Sequence, residues 1–352
     1  MTEFAAIDLG ASAGRVVIGR FDGSVVALEE AHRFPNRPVR LPDGLHWNLL
    51  HLYTEALDAL QGRRLDGVGV DTWGVDYALL DAKQRLLGLP FHYRDARTEG
   101  ASGIGGYEIT GIQDMPINTV YQLLADDHVH DAHAIALVPD LLAYWLSGEL
   151  ANERTNASTT GLLDARTGEW AFEFIERIGL PTRPFRGPLV DPGTLLGRAR
   201  EIDAPVFAVA SHDTASAFAA TPVRDGAILS SGTWSLLGLE LPGPVFSDPA
   251  LTNERGVDGT IRLLKNVMGL WLEQECARVW DVDFPTLQRE ARAATGELFD
   301  VDDERFLRGG DMPALIAEAV GRELTRGETV RSIYVSLAHR YRDVLERLEA
   351  AS

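Results

Sequence analysis

The sequence has 352 residues, a length that suits about two domains. Hydrophobic residues make up 45% and charged residues 24%, as expected for a globular protein with a sizeable core. The formal net charge of −19 argues against nucleic-acid binding, which needs clustered Lys and Arg. The single cysteine, Cys276, excludes a disulfide framework and fits a reducing compartment. Neither a signal peptide nor an apolar run long enough to span a membrane is seen, so we expect a cytoplasmic protein with no membrane partner.

The chain opens with a predicted β-meander. Two apolar runs flank a glycine-containing turn at 10–14, and strands resume at Val25 after a second turn at 22–24. No helical periodicity follows the glycines. A dinucleotide fold or a Walker loop needs a helix there, and neither glycine motif is present, so both are excluded.

The next segments predict a mixed sheet with helices on its faces. Their predicted bounds are a helix over 47–60 with Asn48 as N-cap, a buried strand over 65–70, a strand over 77–80, helices over 114–127 and 139–146, a loop with short strands over 152–164, and a loop over 181–197.

The stretch 208–236 combines two features. An apolar strand over 205–210 delivers Ser211, His212, Asp213 and Thr214 to the start of an Ala-rich helix. Two β-rich runs then meet at a Ser-Gly-Thr turn and predict a hairpin with exposed N–H groups and hydroxyls. An acid beside an anion-binding turn suggests phosphoryl transfer. From the pattern alone, Asp213 could equally be a helix cap without chemistry.

The two strand–turn–strand hairpins, around Gly10 and Gly232, indicate two similar domains, 1–222 and 223–352. A Gly-rich hairpin is also compatible with a plain turn whose glycines allow positive φ. Helices are predicted in the second domain over 266–279, 286–295 and 329–349. Asn266 and Gln274 are eight positions apart, which would place them on one helix face.

Five stretches together resemble the FGGY carbohydrate kinases. They are AIDLGASAGR (6–15), GVDTWGVD (69–76), ASHDTA (210–215), SSGTWS (230–235) and LKNVMGLWLEQ (264–274). The similarity runs in the same order along the whole chain. It implies an α/β fold of two ribonuclease H-like (actin/hexokinase-like) domains, with sugar and ATP meeting in the cleft between them.

The resemblance also implies roles for individual residues. Asp213 would be the general base, and Asp8 would hold Mg²⁺ through water. The expected sugar-binding residues are Gly74, His212, Asp213, Thr214 and Asn266. The expected ATP-binding residues are Ala11, Ser12, Ala13, Gly14, Arg15, Thr233 and Gln274.

Alternative interpretations stand beside these roles. Asp8 is nearly as well explained as a structural carboxylate, Gly74 as a tight turn, and Trp73 as a core residue. A hydrolase triad at 211–213 is excluded, because triad partners converge from separate parts of a fold.

The implied activity is ATP-dependent phosphorylation of a ketose at its terminal hydroxyl. In stretch 264–274 the sequence resembles most strongly the family members that act on L-rhamnulose. L-fuculose and xylulose remain alternative substrates. Family members continue beyond the position of Ser352, so the second domain is expected to be incomplete. The corresponding alternatives are a fragment that binds sugar but not ATP, and self-association through that domain.

Overall fold

The computed structural model describes residues 1–223 and 225–352. Its strands, in chain order, are β1 (Thr2–Leu9), β2 (Ala13–Phe21), β3 (Val26–Pro35), β4 (Val39–Leu41), β5 (Gly44–His46), β6 (Gly67–Thr72), β7 (Tyr77–Leu80), β8 (Ala134–Leu137), β9 (Asn152–Glu153), β10 (Leu189–Val190), β11 (Leu195–Ala199), β12 (Ala204–Phe207), β13 (Ile228–Ser231), β14 (Ser235–Leu241), β15 (Thr252–Arg255) and β16 (Ile261–Val267).

Its α-helices, in chain order, are α1 (Leu49–Leu60), α2 (Tyr107–Thr110), α3 (Thr119–Leu124), α4 (Val138–Ser147), α5 (Arg154–Ala157), α6 (Phe172–Arg177), α7 (Asp213–Ala220), α8 (Trp271–Trp280), α9 (Phe284–Arg292), α10 (Met312–Val320) and α11 (Arg326–Ala351).

Two compact units divide the chain. The first combines Met1–Pro222 with Glu240–Arg262, and the second combines Val223–Leu239 with Leu263–Ser352. The domain boundary expected between 222 and 223 stays a prediction: the polypeptide leaves the first unit there but returns to it at Glu240.

The first unit is built on a six-stranded sheet with the order β11-β12-β6-β1-β2-β3. Strands β1, β2 and β3 pair antiparallel, which confirms the predicted meander, while β6 runs parallel to β1 and β12 parallel to β6. Three parallel strands therefore present their carboxyl ends at one edge. In open α/β sheets this edge is where ligand-binding groups gather.

Helix α1 covers part of the six-stranded sheet with its apolar face. Asn48 caps it by accepting a hydrogen bond from the His51 N–H, and its buried face consists of Leu49, Leu52, Ala56 and Leu60. The helix packs on β1, β2 and β3. Helix α4 packs on β6, β11 and β12, so apolar helix faces cover the sheet and fix the strand ends.

In the second unit, β13 and β14 form the predicted hairpin, with Ser231 opposite Ser235. Strand β16 lies next to β14. The long helix α11 packs on α8, α9 and α10. One side of this helix contributes to the core: Ile333 and Leu337 are buried, and Tyr341 and Leu345 are partly buried.

Some secondary-structure predictions are wrong, among them the loop predicted over 181–197, which contains β10 and the start of β11. Asn266 lies on strand β16, not on a helix, because 261–267 is buried almost throughout and such a run has no helical or strand period. The helix predicted over 114–127 is only α3, since Pro116 disfavours helical backbone at the residue before it. The loop predicted over 152–164 contains α5, which Glu153 caps through the backbone N–H groups of Thr155 and Asn156.

Candidate active site at the strand ends of the first unit

Two carboxylates face each other where the central strands end. Asp8 of β1 and Asp71 of β6 are partners in the parallel register, so their side chains emerge on the same face of the sheet. Burial raises the pKa of Asp71 well above its usual range, and the charges of Asp8 and Asp213 raise it further. Carboxyl groups of separate elements thus influence one another at this edge, and the sequence did not single out Asp71.

Asp213 reaches the same edge through the next strand. The Thr72 N–H donates to the Ser211 carbonyl at 2.9 Å, and Thr72 and His212 form a parallel bridge that continues the sheet. His212 is the N-cap of α7, and Asp213 is its first residue. The helix start therefore fixes Asp213 where the helix dipole favours a negative charge.

Thr214 fixes one oxygen of the Asp213 carboxylate. Its backbone N–H and its hydroxyl both donate to Asp213 Oδ1, at 2.5 and 3.1 Å. Burial raises the pKa of Asp213, an effect that His212 and the two Thr214 hydrogen bonds oppose. The Asp213 side chain nevertheless retains 38% of its exposure. A carboxylate with a raised pKa and an accessible oxygen suits proton transfer.

The Glu153 carboxylate holds the junction between β12 and α7 in place through Ser211. This fully buried side chain accepts the Ser211 N–H at 2.9 Å and the Ser211 hydroxyl at 2.8 Å. The same carboxylate caps α5. Asn156, on α5, donates through Nδ2 to the Ser211 carbonyl at 3.3 Å. Sequence reasoning missed Glu153 because no local pattern links it to a segment 58 positions away.

His212 is held by two further residues that we did not predict. Its Nδ1 lies 3.1 Å from Glu254 Oε2, and Arg262 Nη2 lies 3.0 Å from the same oxygen. On the other side of the ring, Nε2 lies 3.4 Å from Asp213 Oδ1. The only signal in the sequence was a charged Arg262 within an apolar run, where a buried charge requires a partner.

Hydrogen bonds occupy part of the backbone in the turn between β1 and β2. Gly10 N–H donates to the Ala13 carbonyl at 2.9 Å, which leaves the backbone of Ala11 and Ser12 at the tip. Asn36 fastens the turn: its N–H donates to the Ser12 carbonyl at 3.0 Å, and its Nδ2 donates to the Gly10 carbonyl at 2.9 Å. Sequence analysis missed Asn36, which is buried directly after β3.

Arg15 on β2 forms a salt bridge with Asp8 on the neighbouring strand β1. Its Nε and Nη2 both lie 2.6 Å from Asp8 Oδ2, and about half of its side chain (47%) remains exposed. The pair brings together the residue expected to hold Mg²⁺ and a residue expected to bind phosphate. Arg15 therefore offsets part of the negative charge at the strand ends.

Gly74 follows β6 and lies against Thr159. A Cβ at Gly74 would lie 3.0 Å from Thr159 Cγ2 and Oγ1, tighter than ordinary packing. Val75 has φ 67°, a strained value for a β-branched residue, and its N–H donates to Thr159 Oγ1 at 3.1 Å. Trp73 is buried and donates through Nε1 to Asp76 at 2.9 Å, so its interpretation as a core residue is confirmed.

In the second unit, two of the residues expected to bind ATP lie together. Thr233, in the β13–β14 turn, donates through Oγ1 to Gln274 Oε1 at 3.2 Å. The carbonyls of Gly232 and Thr233 accept the N–H groups of Leu270 and Trp271, which tie the turn to the start of α8. Asn266 lies on β16 in the same unit.

The donor set at the strand ends suits a hydrated cation better than a directly chelated one. Within residues 1–223 and 225–352, no cluster of three or more His, Cys, Asp or Glu side chains is arranged to hold a metal ion. Asp8 and Asp71 supply the carboxylate oxygens that Mg²⁺ prefers, and Mg²⁺ usually keeps several waters. Burial is the main cause of the raised Asp71 pKa, and the charges of Asp8 and Asp213 add a repulsion that a nearby cation would relieve.

Comparison with known proteins identifies the class. Residues 4–201 match the N-terminal domain of the FGGY family of carbohydrate kinases, and residues 227–352 match its C-terminal domain. The chain belongs to this family and is a phosphotransferase. No helix in the described part of the chain is long and apolar enough to cross a membrane.

The chain is also similar in sequence to individual members of the family. The chain is 40% identical to a rhamnulokinase of Bacteroides thetaiotaomicron over 99% of its own length and 80% of the relative's. It is 38% identical to a rhamnulokinase of Bacillus subtilis, over 98% and 79% of the two lengths.

Solved structures confirm the predicted fold class. A xylulose kinase from Lactobacillus acidophilus matches with a TM-score of 0.76 at 14% identity, covering 99% of this chain and 78% of that one. A Plasmodium falciparum glycerol kinase with ADP matches with a TM-score of 0.75 at 13% identity, covering 100% and 79%. At these identities the likeness concerns the fold alone.

Proposed function

We propose that this protein transfers the γ-phosphoryl group of ATP to the terminal hydroxyl of L-rhamnulose, yielding L-rhamnulose 1-phosphate and ADP. The observation that carries the proposal is the placement of Asp213, held between Thr214 and His212 at the carboxyl end of the sheet with its side chain still accessible. The sugar identity is supported by the similarity to rhamnulokinases along nearly the whole chain.

Asp213 accepts the proton of the attacking hydroxyl. As the oxygen bonds to the γ-phosphorus and the bond to the ADP oxygen breaks, the hydroxyl proton passes to the carboxylate. Two features support this role: the pKa of Asp213 is raised by burial, which increases its basicity, and Thr214 fixes the carboxylate orientation. His212 and Thr214 are proposed to contact the sugar, together with Gly74 and Asn266.

The phosphates are bound by backbone N–H groups and by charge. The tip of the first hairpin, Ala11 and Ser12, offers its backbone, and Ala13, Gly14 and Arg15 follow at the start of β2. Thr233 and Gln274, which are hydrogen-bonded to each other, are also proposed to contact the nucleotide. Asp8 would hold Mg²⁺ through water, and the bound ion supplies charge neutralisation to the phosphates.

The test is coupled ADP release with purified enzyme, ATP, Mg²⁺ and a panel of L-rhamnulose, L-fuculose and D-xylulose. We expect the highest kcat/KM with L-rhamnulose, and a loss of at least about a hundredfold in kcat for Asp213→Asn. Full activity of Asp213→Asn would refute the general-base assignment. A higher kcat/KM with another ketose would refute the substrate assignment and leave the kinase assignment intact.

A further inference from the structure

A strained backbone turn follows strand β6. Val75 has φ 67°, and the Asp76 N–H donates to the Gly74 carbonyl, two residues back, at 3.0 Å. A three-residue turn with a positive φ at its centre belongs to the rare, strained form of γ-turn, and a β-branched side chain makes this φ less favourable still. Such a conformation persists only where the surrounding structure holds it, and it is found mainly at functional sites. Gly74, the expected sugar contact, is the first residue of this turn.

Two buried threonine hydroxyls hold the centre of the turn. The Val75 N–H donates to Thr159 Oγ1 at 3.1 Å, and the Val75 carbonyl accepts the Thr119 hydroxyl at 2.6 Å. Both threonines are buried. The Thr159 hydroxyl directs its own hydrogen to the Asn156 carbonyl at 2.8 Å, so its oxygen is left to accept the Val75 N–H. Both backbone polar groups of the strained residue are therefore bound from outside the turn.

The residue after the strained one is also fixed. The buried Asp76 carboxylate accepts Gln122 Nε2 at 2.8 Å. The orientation of the Gln122 amide follows from Arg97, because Arg97 Nη2 lies 2.9 Å from Gln122 Oε1 and can only donate. Since Asp76 is anchored in this way, a relaxation of the Val75 backbone has to displace Gly74 instead.

Thr159 belongs to a segment that also supports the other expected sugar-binding stretch. Glu153 accepts the Ser211 N–H at 2.9 Å, and Asn156 donates through Nδ2 to the Ser211 carbonyl at 3.3 Å. Ser211 directly precedes the expected sugar-binding residues at the start of α7. Thr159 lies so close to Gly74 that a Cβ there would be 3.0 Å from its Oγ1. One continuous segment therefore contacts the backbone next to both groups of expected sugar-binding residues.

We infer that Thr159 is a positioning residue for sugar binding: its hydroxyl keeps Val75 in the strained turn and thereby holds the Gly74 backbone in place. The inference rests on the proposed role of Gly74 as a sugar contact. Without the hydroxyl, the Val75 backbone has a more favourable conformation to relax into. Sugar binding then has to restore the turn, and the apparent Kd rises in inverse proportion to the fraction of molecules that still form it.

Three substitutions isolate the hydroxyl and the strain. Thr159→Val removes the hydroxyl and keeps the branched shape of the side chain, whereas Thr159→Ser keeps the hydroxyl. Val75→Gly removes the strain, since glycine adopts a positive φ readily. If the hydroxyl acts by holding the strained turn, its removal should matter less in a chain that already carries Val75→Gly.

Thr110→Val is the matched control. Thr110 is buried in the same unit to the same extent as Thr159, with 4% of each residue exposed. Its hydroxyl likewise donates to a backbone carbonyl, that of Gly106, and accepts a backbone N–H, that of Ile112. The control therefore removes the same kind of hydrogen bonds at a position outside the proposed site.

The first measurement monitors the turn without sugar or activity. Amide hydrogen exchange of ¹⁵N-valine-labelled protein is followed by NMR, and the Val75 signal is assigned by its loss in Val75→Gly. We expect a protected Val75 amide in wild type, Thr159→Ser and Thr110→Val, and exchange at least about tenfold faster in Thr159→Val. Fast exchange in wild type, or an unchanged rate in Thr159→Val, would overturn the inference.

The second measurement is the Kd, by titration calorimetry, for the ketose that wild type binds most tightly, which we expect to be L-rhamnulose. Thr159→Val should raise this Kd about tenfold, while Thr159→Ser and Thr110→Val stay within about twofold of wild type. Kd for ATP should stay within about twofold in all of them. Added to Val75→Gly, Thr159→Val should raise the sugar Kd by no more than about threefold. An equal rise with and without Val75→Gly would mean that the hydroxyl does not act through the turn.

Two further outcomes are decisive. If Thr159→Val alone does not fold, the double variant Val75→Gly/Thr159→Val should fold because the strain is gone, and an equally unfolded double variant would contradict the inference. Failure of the proposed function is recognised separately. A wild type that binds none of L-rhamnulose, L-fuculose and D-xylulose refutes the proposed function. Ketose binding by wild type with a Kd that Thr159→Val leaves unchanged refutes the positioning role alone.

Discussion

Gly14 lies directly against the ring of Phe34. A Cβ at Gly14 would come within 2.6 Å of Phe34 Cζ and 2.7 Å of Leu9 Cδ2, a clash inside the core of the meander. Neither Gly10 nor Gly14 has a positive φ. The glycine at position 14 is therefore required by packing beneath the proposed phosphate-binding turn, which sequence alone did not reveal.

Gly14→Ala should lower the free energy of unfolding by about 1–3 kcal/mol, the usual cost of overpacking a core. Phe34→Leu in the same chain should recover part of the loss, because the smaller side chain frees the space. Urea denaturation of the single and double variants measures this coupling. Gly10→Ala is the control, since its Cβ would meet only the Ala13 carbonyl at 3.3 Å and should cost less. Equal losses at both positions would contradict the packing argument.

Asn36 should matter for nucleotide binding although it lies behind the turn. Asn36→Ala removes the hydrogen bond from Nδ2 to the Gly10 carbonyl and keeps the one from the backbone to Ser12. We expect a loss of about 1 kcal/mol in unfolding free energy. Because the tip of the turn loses its support, KM for ATP should rise severalfold while KM for the sugar stays unchanged. A selective rise in the sugar KM would be inconsistent with the assignment.

The hydrogen bond between Thr233 and Gln274 allows a test of nucleotide binding by the second unit. Thr233→Val removes the hydroxyl that donates to Gln274 and keeps the shape of the side chain. We expect KM for ATP to rise about fivefold, which corresponds to about 1 kcal/mol for one hydrogen bond. Thr233→Ser retains the hydroxyl and should behave like wild type. If valine and serine give the same KM, the hydroxyl has no part in nucleotide binding.

His92 should make stability depend on pH. Burial, together with the Arg94 charge, lowers the pKa of His92 from 6.5 to about 3, and the ring stacks on Trp47 at 4.0 Å. Between these pH values the unfolded chain binds the proton and the folded chain does not. The contribution of His92 to stability therefore falls as the pH is lowered from 6.5 toward 3, by about 1.4 kcal/mol per pH unit.

The matched variant for His92 is His92→Gln, which lacks the titrating ring. Its stability relative to wild type should improve steadily as the pH decreases below 6.5. Denaturant unfolding at pH 7.0, 6.0 and 5.0 measures the difference. A difference that does not change with pH would show that His92 is protonated equally in both states.

Local sequence patterns predicted some elements correctly and failed to predict others. The meander, α1 with its Asn48 cap, and the Asp213 junction follow from apolar runs, turn residues and capping residues that are neighbours in the chain. Asn266 was misplaced because 261–267 is buried on both faces, so that neither periodicity is visible. Glu153 and Glu254 escaped notice because each acts across more than forty positions, and only the folded sheet brings them to the 211–213 segment.

The return of Glu240–Arg262 to the first unit has a consequence for synthesis. A growing chain that has released residues up to Pro222 already contains every strand of the six-stranded sheet, yet it lacks Glu254 and Arg262. Because chains emerge amino terminus first, His212 lacks both of these buried neighbours until Glu254, and then Arg262, have left the ribosome. The sheet can thus form early during translation, whereas the site matures only after the β13–β14 hairpin of the other unit has been made.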